Sequence, residues 1–175
     1  GRLLISDRAT LVSNIHREAD KQAELRLQAA GKEIIGTTLQ GIGPSYASKI
    51  LRFGLRVGDL HDWPTFVEKY HKFIAAAKFQ LHVPEFDSAE ELDQLKILHE
   101  RLTVQDSMIV DSVDMMHKAL NDPSKRIVAE GANAVMLDVD YGTYPMVTSS
   151  NTTIGGVSTG LSVPPHHIET TIGIM

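Results

Sequence analysis

Arg126-Ile127-Val128-Ala129-Glu130-Gly131-Ala132-Asn133 reads as a buried strand running into a glycine-containing turn. Val135-Met136-Leu137-Asp138-Val139-Asp140 follows as a second short apolar stretch, and Leu3-Leu4-Ile5 reads as another buried strand. Between these stretches the pattern is helical. Ser13 or Asn14 caps a helix that runs to about Ala30, with Gly31 as its stop. Asp62-Trp63-Pro64 opens a helix on which Phe66, Val67, Tyr70, Phe73 and Ile74 recur at helical period. Ser88-Ala89-Glu90-Glu91 forms a capping box before a third helix, striped by Leu92, Leu95, Leu98 and Leu102. Ile109, Val110, Val113, Met116 and Leu120 make the inward face of a fourth, which ends near Asn121-Asp122-Pro123. Residues 62–122 are thus a helical region, and Tyr141 to Pro165 is loop-like and dense in Gly, Thr, Ser and Pro. Helices interleaved with short apolar strands predict an α/β fold: a mostly parallel central sheet flanked by helices, with function on loops at strand ends.

The 175 residues amount to about one domain. There are 22 acidic against 17 Lys and Arg residues, a formal net charge of −5 without basic runs, which argues against a dedicated nucleic-acid binder. The lack of cysteine excludes a disulfide scaffold, a cysteine nucleophile and thiolate zinc sites. No apolar run approaches the roughly 20 residues that span a bilayer, so no membrane contact and a cytoplasmic location are expected. The opening Gly1-Arg2-Leu3-Leu4-Ile5-Ser6 has no initiator Met or signal peptide, and the closing Thr170-Thr171-Ile172-Gly173-Ile174-Met175 is apolar and uncapped. Both ends read as cuts through ordered structure. The chain is therefore expected to be an internal piece of a longer protein, with an incomplete sheet.

Two segments carry chemistry. Gly36-Thr37-Thr38-Leu39-Gln40-Gly41-Ile42-Gly43-Pro44 offers backbone N–H groups and hydroxyls to an anion, and Pro44 suits the first turn of a helix whose N-terminus would hold a phosphate. It is not a Walker A loop, since the required Lys falls at Ile42. A glycine turn without a ligand is the equal alternative. Lys49, Arg52 and Arg56 follow at spacings that line one helix face, a phosphate-binding set or an ordinary basic patch. The second segment runs from Glu130-Gly131-Ala132-Asn133-Ala134 through Asp138-Val139-Asp140-Tyr141-Gly142-Thr143-Tyr144-Pro145 to Val147-Thr148-Ser149-Ser150-Asn151-Thr152-Thr153. Its small hydroxyl and amide side chains suit a polar ligand: Asn133 a base edge, Thr148 to Asn151 a phosphate or ribose. Asp138 and Asp140 read as carboxylates bonded to turn backbone, with Mg²⁺ ligation as the alternative. His16, Asp20 and Glu24, four apart on the first helix, read as a solvated or locally paired face rather than a metal site. No Gly-x-Ser-x-Gly elbow is present, and His166-His167 reads as an exposed loop pair.

Ile35-Gly36-Thr37-Thr38 through Gly41-Ile42-Gly43-Pro44, then Tyr46, Lys49, Arg52 and Gly54-Leu55-Arg56-Val57-Gly58-Asp59-Leu60, closely resembles the adenylosuccinate synthetase family. The second segment resembles it too, as do Gly155-Gly156-Val157, Thr159-Gly160 and Pro164-Pro165, in the expected order. The resemblance covers nearly the whole chain, is weakest over 62–124, and looks eukaryotic at Asn133. It implies a GTP- and Mg²⁺-dependent ligase that joins IMP to L-aspartate in AMP biosynthesis. It further implies that Thr38, Arg52, Asn133 and Thr148 bind IMP, with Arg52 reaching the nucleotide of the neighbouring subunit in a homodimer. The catalytic Asp and His, the Mg²⁺ ligands and the GTP and aspartate sites match no residue here, so the segment alone is expected to be inactive. Leu39-Gln40 stands where the family pattern has Gly and a basic residue, and Ser162 replaces another expected glycine. A non-catalytic nucleotide-monophosphate-binding or structural module is the other reading, and an unrelated metal enzyme using His16, Asp20 and Glu24 the third.

Overall fold

A parallel pair of short strands joins the two ends of a long helical stretch: β1 (Ile5–Ser6) lies beside β2 (Ile109–Val110), Ile5 opposite Ile109 and Ser6 opposite Val110. The computed structural model describes residues 3–105 and 107–173. Gly1, Arg2, Ile174 and Met175, part of the ends read as cuts, lie outside the described residues. A parallel pair needs a crossover, and here it consists of α1 (Asn14–Ala29), α2 (Ile42–Ile50), α3 (Trp63–Gln80) and α4 (Ala89–His99). The α/β class is thus realised with a small sheet. β1 starts later than the apolar run implied, for Leu3 and Leu4 are exposed.

The chain divides into two compact units, Gly1–Val110 and Asp111–Met175. The core of the first is built on α3. Asp62 accepts the Thr65 N–H and hydroxyl, and Pro64 sits in the first turn, so the helix starts where the sequence indicates. Phe66, Tyr70, Phe73, Ile74 and Ala77 fall on one face and are buried with Ile15, Ala19, Leu60, Leu95 and Ile109. Their rings form a continuous row: Phe66 to Tyr70 at 6.0 Å, Tyr70 to Phe73 at 6.2 Å and Phe73 to His16 at 5.3 Å.

The capping box expected at Ser88 does not form. Ser88 caps nothing with its side chain, and Glu91 turns inward to α1 instead. Leu98 is exposed, which narrows the expected leucine stripe, and a π-helical turn (Glu100–Gln105) follows α4. Ile109 and Val110 are strand rather than helix. Asp111 accepts the Val113 and Asp114 N–H groups, so α5 (Ser112–Leu120) begins after it and leaves the two β-branched residues extended.

In the second unit Arg126 to Glu130 forms no strand, and Val128 is 93% exposed. The run has a strand's composition, but a strand also needs a neighbour's N–H and C=O groups, and no described segment supplies them. Val135–Leu137 is a single 3-10 turn. Within the stretch read as loop, α6 (Gly155–Leu161) forms and stops at Ser162.

Candidate functional site

The glycine-rich loop is moored to α1 by the face that carries His16, Asp20 and Glu24. Asp20 is buried; one carboxylate oxygen accepts the Thr37 hydroxyl at 3.0 Å and the other the Gly41 N–H at 3.0 Å. Glu24 accepts the Gly36 N–H at 3.0 Å. These acids are locally paired, one of the readings of this face, and their partners are in the loop. Gly41 is required where the loop meets the helix. Its φ is +75°, and a Cβ would come within 2.6 Å of the Arg17 nitrogen and 2.7 Å of the His16 carbonyl carbon.

His16 completes the joint. The Ser13 N–H donates to Nδ1 at 3.1 Å, so Nε2 carries the proton and donates to the Ser48 hydroxyl at 2.9 Å, which donates to the Pro44 carbonyl at 2.9 Å. This ties the start of α1 to α2. Burial pushes the His16 pKa down to about 4, so the ring is neutral at pH 7.

With its neighbours moored, Thr38 is exposed, and its hydroxyl has no protein partner among the described residues. Leu39 next to it is in the left-handed region at φ 57°, the conformation that the missing glycine would take without strain. Ser162, the other departure from the family's glycines, is left-handed too, at φ 58°. A left-handed L-residue costs about 1–2 kcal/mol, and a glycine adds about 0.4–1 kcal/mol of unfolded-state freedom. Leu39→Gly should therefore raise stability by up to about 1 kcal/mol, a rise of a few degrees in Tm. A lower Tm would show that the Leu39 side chain, which walls a groove of about 420 Å³ with Arg17, Lys21 and Phe86, outweighs the backbone strain. That groove includes none of the four predicted site residues.

Lys49, Arg52 and Arg56 do not share a helix face. α2 ends in a paired closure, with Phe53 N–H donating to the Ser48 carbonyl and Arg52 N–H to the Lys49 carbonyl, and this puts Arg52 at φ 67° in a position usually taken by glycine. The Arg52 side chain is exposed and makes no ion pair among the described residues. Lys49 lies over the Tyr46 ring at 5.5 Å, and Arg56 stands ahead of the 3-10 turn Val57–His61. Arg52 is thus an L-residue held in a conformation that costs about 1–2 kcal/mol, with its cation left exposed.

The second segment is organised by Asp138, which is fully buried. One carboxylate oxygen accepts the Asp140 and Tyr141 N–H groups at 2.9 and 3.1 Å, and the other accepts those of Thr152 and Thr153 at 2.7 and 3.0 Å. Burial raises its pKa, but the four N–H donors win and hold it well below the usual carboxylate range. Asp140 accepts the Asn151 amide at 2.7 Å, and Thr152 donates to the Ala134 carbonyl at 3.0 Å. The loop is thus cinched from within. Asn133, at φ 71°, and Thr148 are left with side chains that bond to nothing in the chain among the described residues.

Mg²⁺ does not fit these acids, because Asp138 has no unoccupied face and Asp140 is engaged by Asn151. No group of three or more candidate metal ligands occurs among the described residues, and no described helix is long and apolar enough to cross a membrane. Sequence reasoning missed Asp20 and Glu24 as loop anchors. Their four-residue spacing identified a shared face, but their targets lie 12 to 21 residues away and leave no local mark.

The family model described as Adenylosuccinate synthetase matches residues 1–175. The chain is 50% identical over 175 residues to the adenylosuccinate synthetase of Paramecium tetraurelia and 48% identical over 174 residues to that of Schizosaccharomyces pombe. It is fully covered by the first match and 99% covered by the second, yet it spans 39% and 38% of those relatives' lengths. The solved structure of fully ligated adenylosuccinate synthetase from Plasmodium falciparum superposes with a TM-score of 0.88 at 39% identity, covering 96% of this chain and 38% of that one. The loops moored at Asp20 and Asp138 are those on which the sequence resemblance rested, and the chain belongs to the adenylosuccinate synthetase family.

Proposed function

We propose that this chain is part of a single synthetase domain that ligates IMP and L-aspartate to adenylosuccinate at the expense of GTP, in the cytoplasm, and that it supplies IMP contacts and dimer surface. Loops 36–44 and 130–165 carry three of those contacts: Thr38 and Thr148 donate hydroxyls to the IMP phosphate and Asn133 meets the nucleotide, while Arg52, just after α2, reaches the IMP of the partner subunit. In this reading O6 of IMP attacks the γ-phosphorus of GTP as N1 gives up its proton, GDP leaves, and the aspartate amine then displaces phosphate from C6. The residues of this chain bind and orient; the proton acceptor, the Mg²⁺ ligands and the GTP and aspartate contacts belong to the rest of the synthetase.

The observation that carries this reading is the contrast within each loop. Thr37, Asp138, Asn151 and Thr152 are bonded into the chain, while among the described residues the side chains of Thr38 in the first loop and of Asn133 and Thr148 in the second have no partner and are left for a ligand, as is that of Arg52 beyond α2. In the full-length synthetase, Arg52→Leu should raise the KM for IMP, and mixing it with a different inactive variant should restore part of the activity through shared sites. Thr148→Ala should weaken IMP by about tenfold or more, the loss of one hydrogen bond to a charged group, and leave GTP nearly unchanged. Unchanged IMP kinetics in both variants would remove the assignment.

A further inference from the structure

We infer that Asp20 is a positioning residue for the nucleotide phosphate: it sets the Thr38 tip of the loop from behind, without touching ligand. This rests on the reading of Thr38 as a phosphate contact.

Asp20 grips both sides of the tip. One oxygen takes the Thr37 hydroxyl and the other takes the Gly41 N–H, so residues 38–40 bridge two points fixed on one buried carboxylate. Because the Thr37 proton is committed to Asp20, its lone pair faces the Leu39 N–H, which lies 3.4 Å away. The hydrogen bonds therefore run in one direction, from Leu39 N–H to Thr37 to Asp20, and the peptide turns around Thr38. That order also separates the two threonines: Thr37 points to the helix and Thr38 outward. A left-handed Leu39 persists only where its surroundings over-determine the backbone, and the clamp supplies that constraint.

A carboxylate behind a phosphate loop is electrostatically unfavourable for the ligand, and this makes the test one of sign. If Asp20 mattered only as a charge, Asp20→Asn would tighten IMP, since it removes a like charge. If Asp20 is a clamp, Asp20→Asn weakens IMP, because the amide nitrogen cannot accept from Gly41 N–H or Thr37 and the tip loses one anchor. In the full-length synthetase we expect Asp20→Asn to raise the KM for IMP by about tenfold, with the KM for GTP and kcat changed less than about twofold. Thr37→Val should do the same and Thr37→Ser should restore the wild-type KM, which keeps the test intact if Asp20→Asn does not fold. An unchanged or lower KM for IMP, or a matched loss in both substrates and kcat, overturns the inference. Thr38→Ala is run beside these variants. If it leaves IMP unaffected, the reading of Thr38 itself has failed; if it weakens IMP while Asp20→Asn and Thr37→Val do not, only the clamp has.

Discussion

Glu91→Ala should cost about 3–5 kcal/mol of stability, a large share of what holds a domain of this size together. Glu91 is 8% exposed, and its carboxylate is the shared acceptor of three donors. It takes the Asn14 N–H at 2.7 Å on one oxygen, and the Ser13 and Tyr70 hydroxyls at 2.7 Å each on the other. Asn14 is the first residue of α1, so the negative charge lies where the exposed N–H groups and the helix dipole favour it. Burial and then the Glu91 hydrogen bond push the Tyr70 phenol far above its usual pKa, which keeps it a donor. Truncation leaves the buried Ser13 hydroxyl without this acceptor, the Tyr70 hydroxyl with only the Ser88 carbonyl at 3.4 Å, and the Asn14 N–H unpaired at the helix start. The cost is about 1–3 kcal/mol for each buried donor left unsatisfied, partly offset by no longer burying a charge. Glu91→Gln should recover part of the loss, since the amide keeps one acceptor oxygen. Trp63, the only tryptophan, stacks on Phe66 at 5.4 Å in the same core and reports unfolding by fluorescence. In urea the midpoint should fall by about 1–3 M for Glu91→Ala. A midpoint within a few tenths of wild type would mean that the three donors find other partners.

Glu91 also marks the boundary between what the sequence makes legible and what it does not. Its distance from Ser88 is that of a capping box, and a local rule assigns it to its own helix. The actual partners lie 77 and 78 residues back and at Tyr70, and no local pattern encodes them. Periodicity did locate α1 and α3, because a helix face shows in the chain's own spacing, and caps at Ser13 and Asp62 are local by nature. It failed at Ile127-Val128, where pairing decides, and at Arg52, where two backbone hydrogen bonds to α2 turn the chain out of the helix one residue after its cap.

The same limit applies to the candidate site. Its loops were legible as words, since glycine-rich and hydroxyl-rich turns are contiguous. Their anchoring was not. Each loop is held by a buried carboxylate: Asp20, outside its loop, accepts the Gly41 N–H and the Thr37 hydroxyl, and Asp138, inside its loop, accepts four backbone N–H groups. Asp138 was readable as a turn acid because its donors begin two residues on, at Asp140. Asp20 was not, with Gly41 21 residues away. Buried acids fix the backbone of each loop, and among the described residues the Thr38 and Thr148 hydroxyls have no protein partner, which is what the proposed phosphate contacts require.

Acidification should loosen the joint between α1 and α2 before it reaches the ordinary carboxylate range. The His16 ring is buried with a pKa of about 4, against 6.5 when free. Above pH 6.5 both folded and unfolded chains carry it neutral, and it contributes no pH dependence. Between 6.5 and 4 the unfolded chain takes up a proton that the folded chain refuses, so stability falls as pH falls. Below 4 both states are charged and the loss is complete, on the order of 3 kcal/mol at about 1.4 kcal/mol per pH unit. The geometry gives the same sign: His16 Nδ1 accepts from Ser13 N–H, and a protonated Nδ1 would face that donor with a proton of its own. His16→Gln replaces the ring with an amide that does not titrate, so its urea midpoint should be lower at pH 7 but should change less between pH 6.5 and 4.5. Equal slopes for the two proteins would place the acid sensitivity elsewhere. Because His16 bonds through Ser48 to the Pro44 carbonyl, the Thr38 loop and α2 should loosen together as the ring charges, seen as lower amide-exchange protection, relative to the intrinsic rate at each pH, at Gly41 and Ser45.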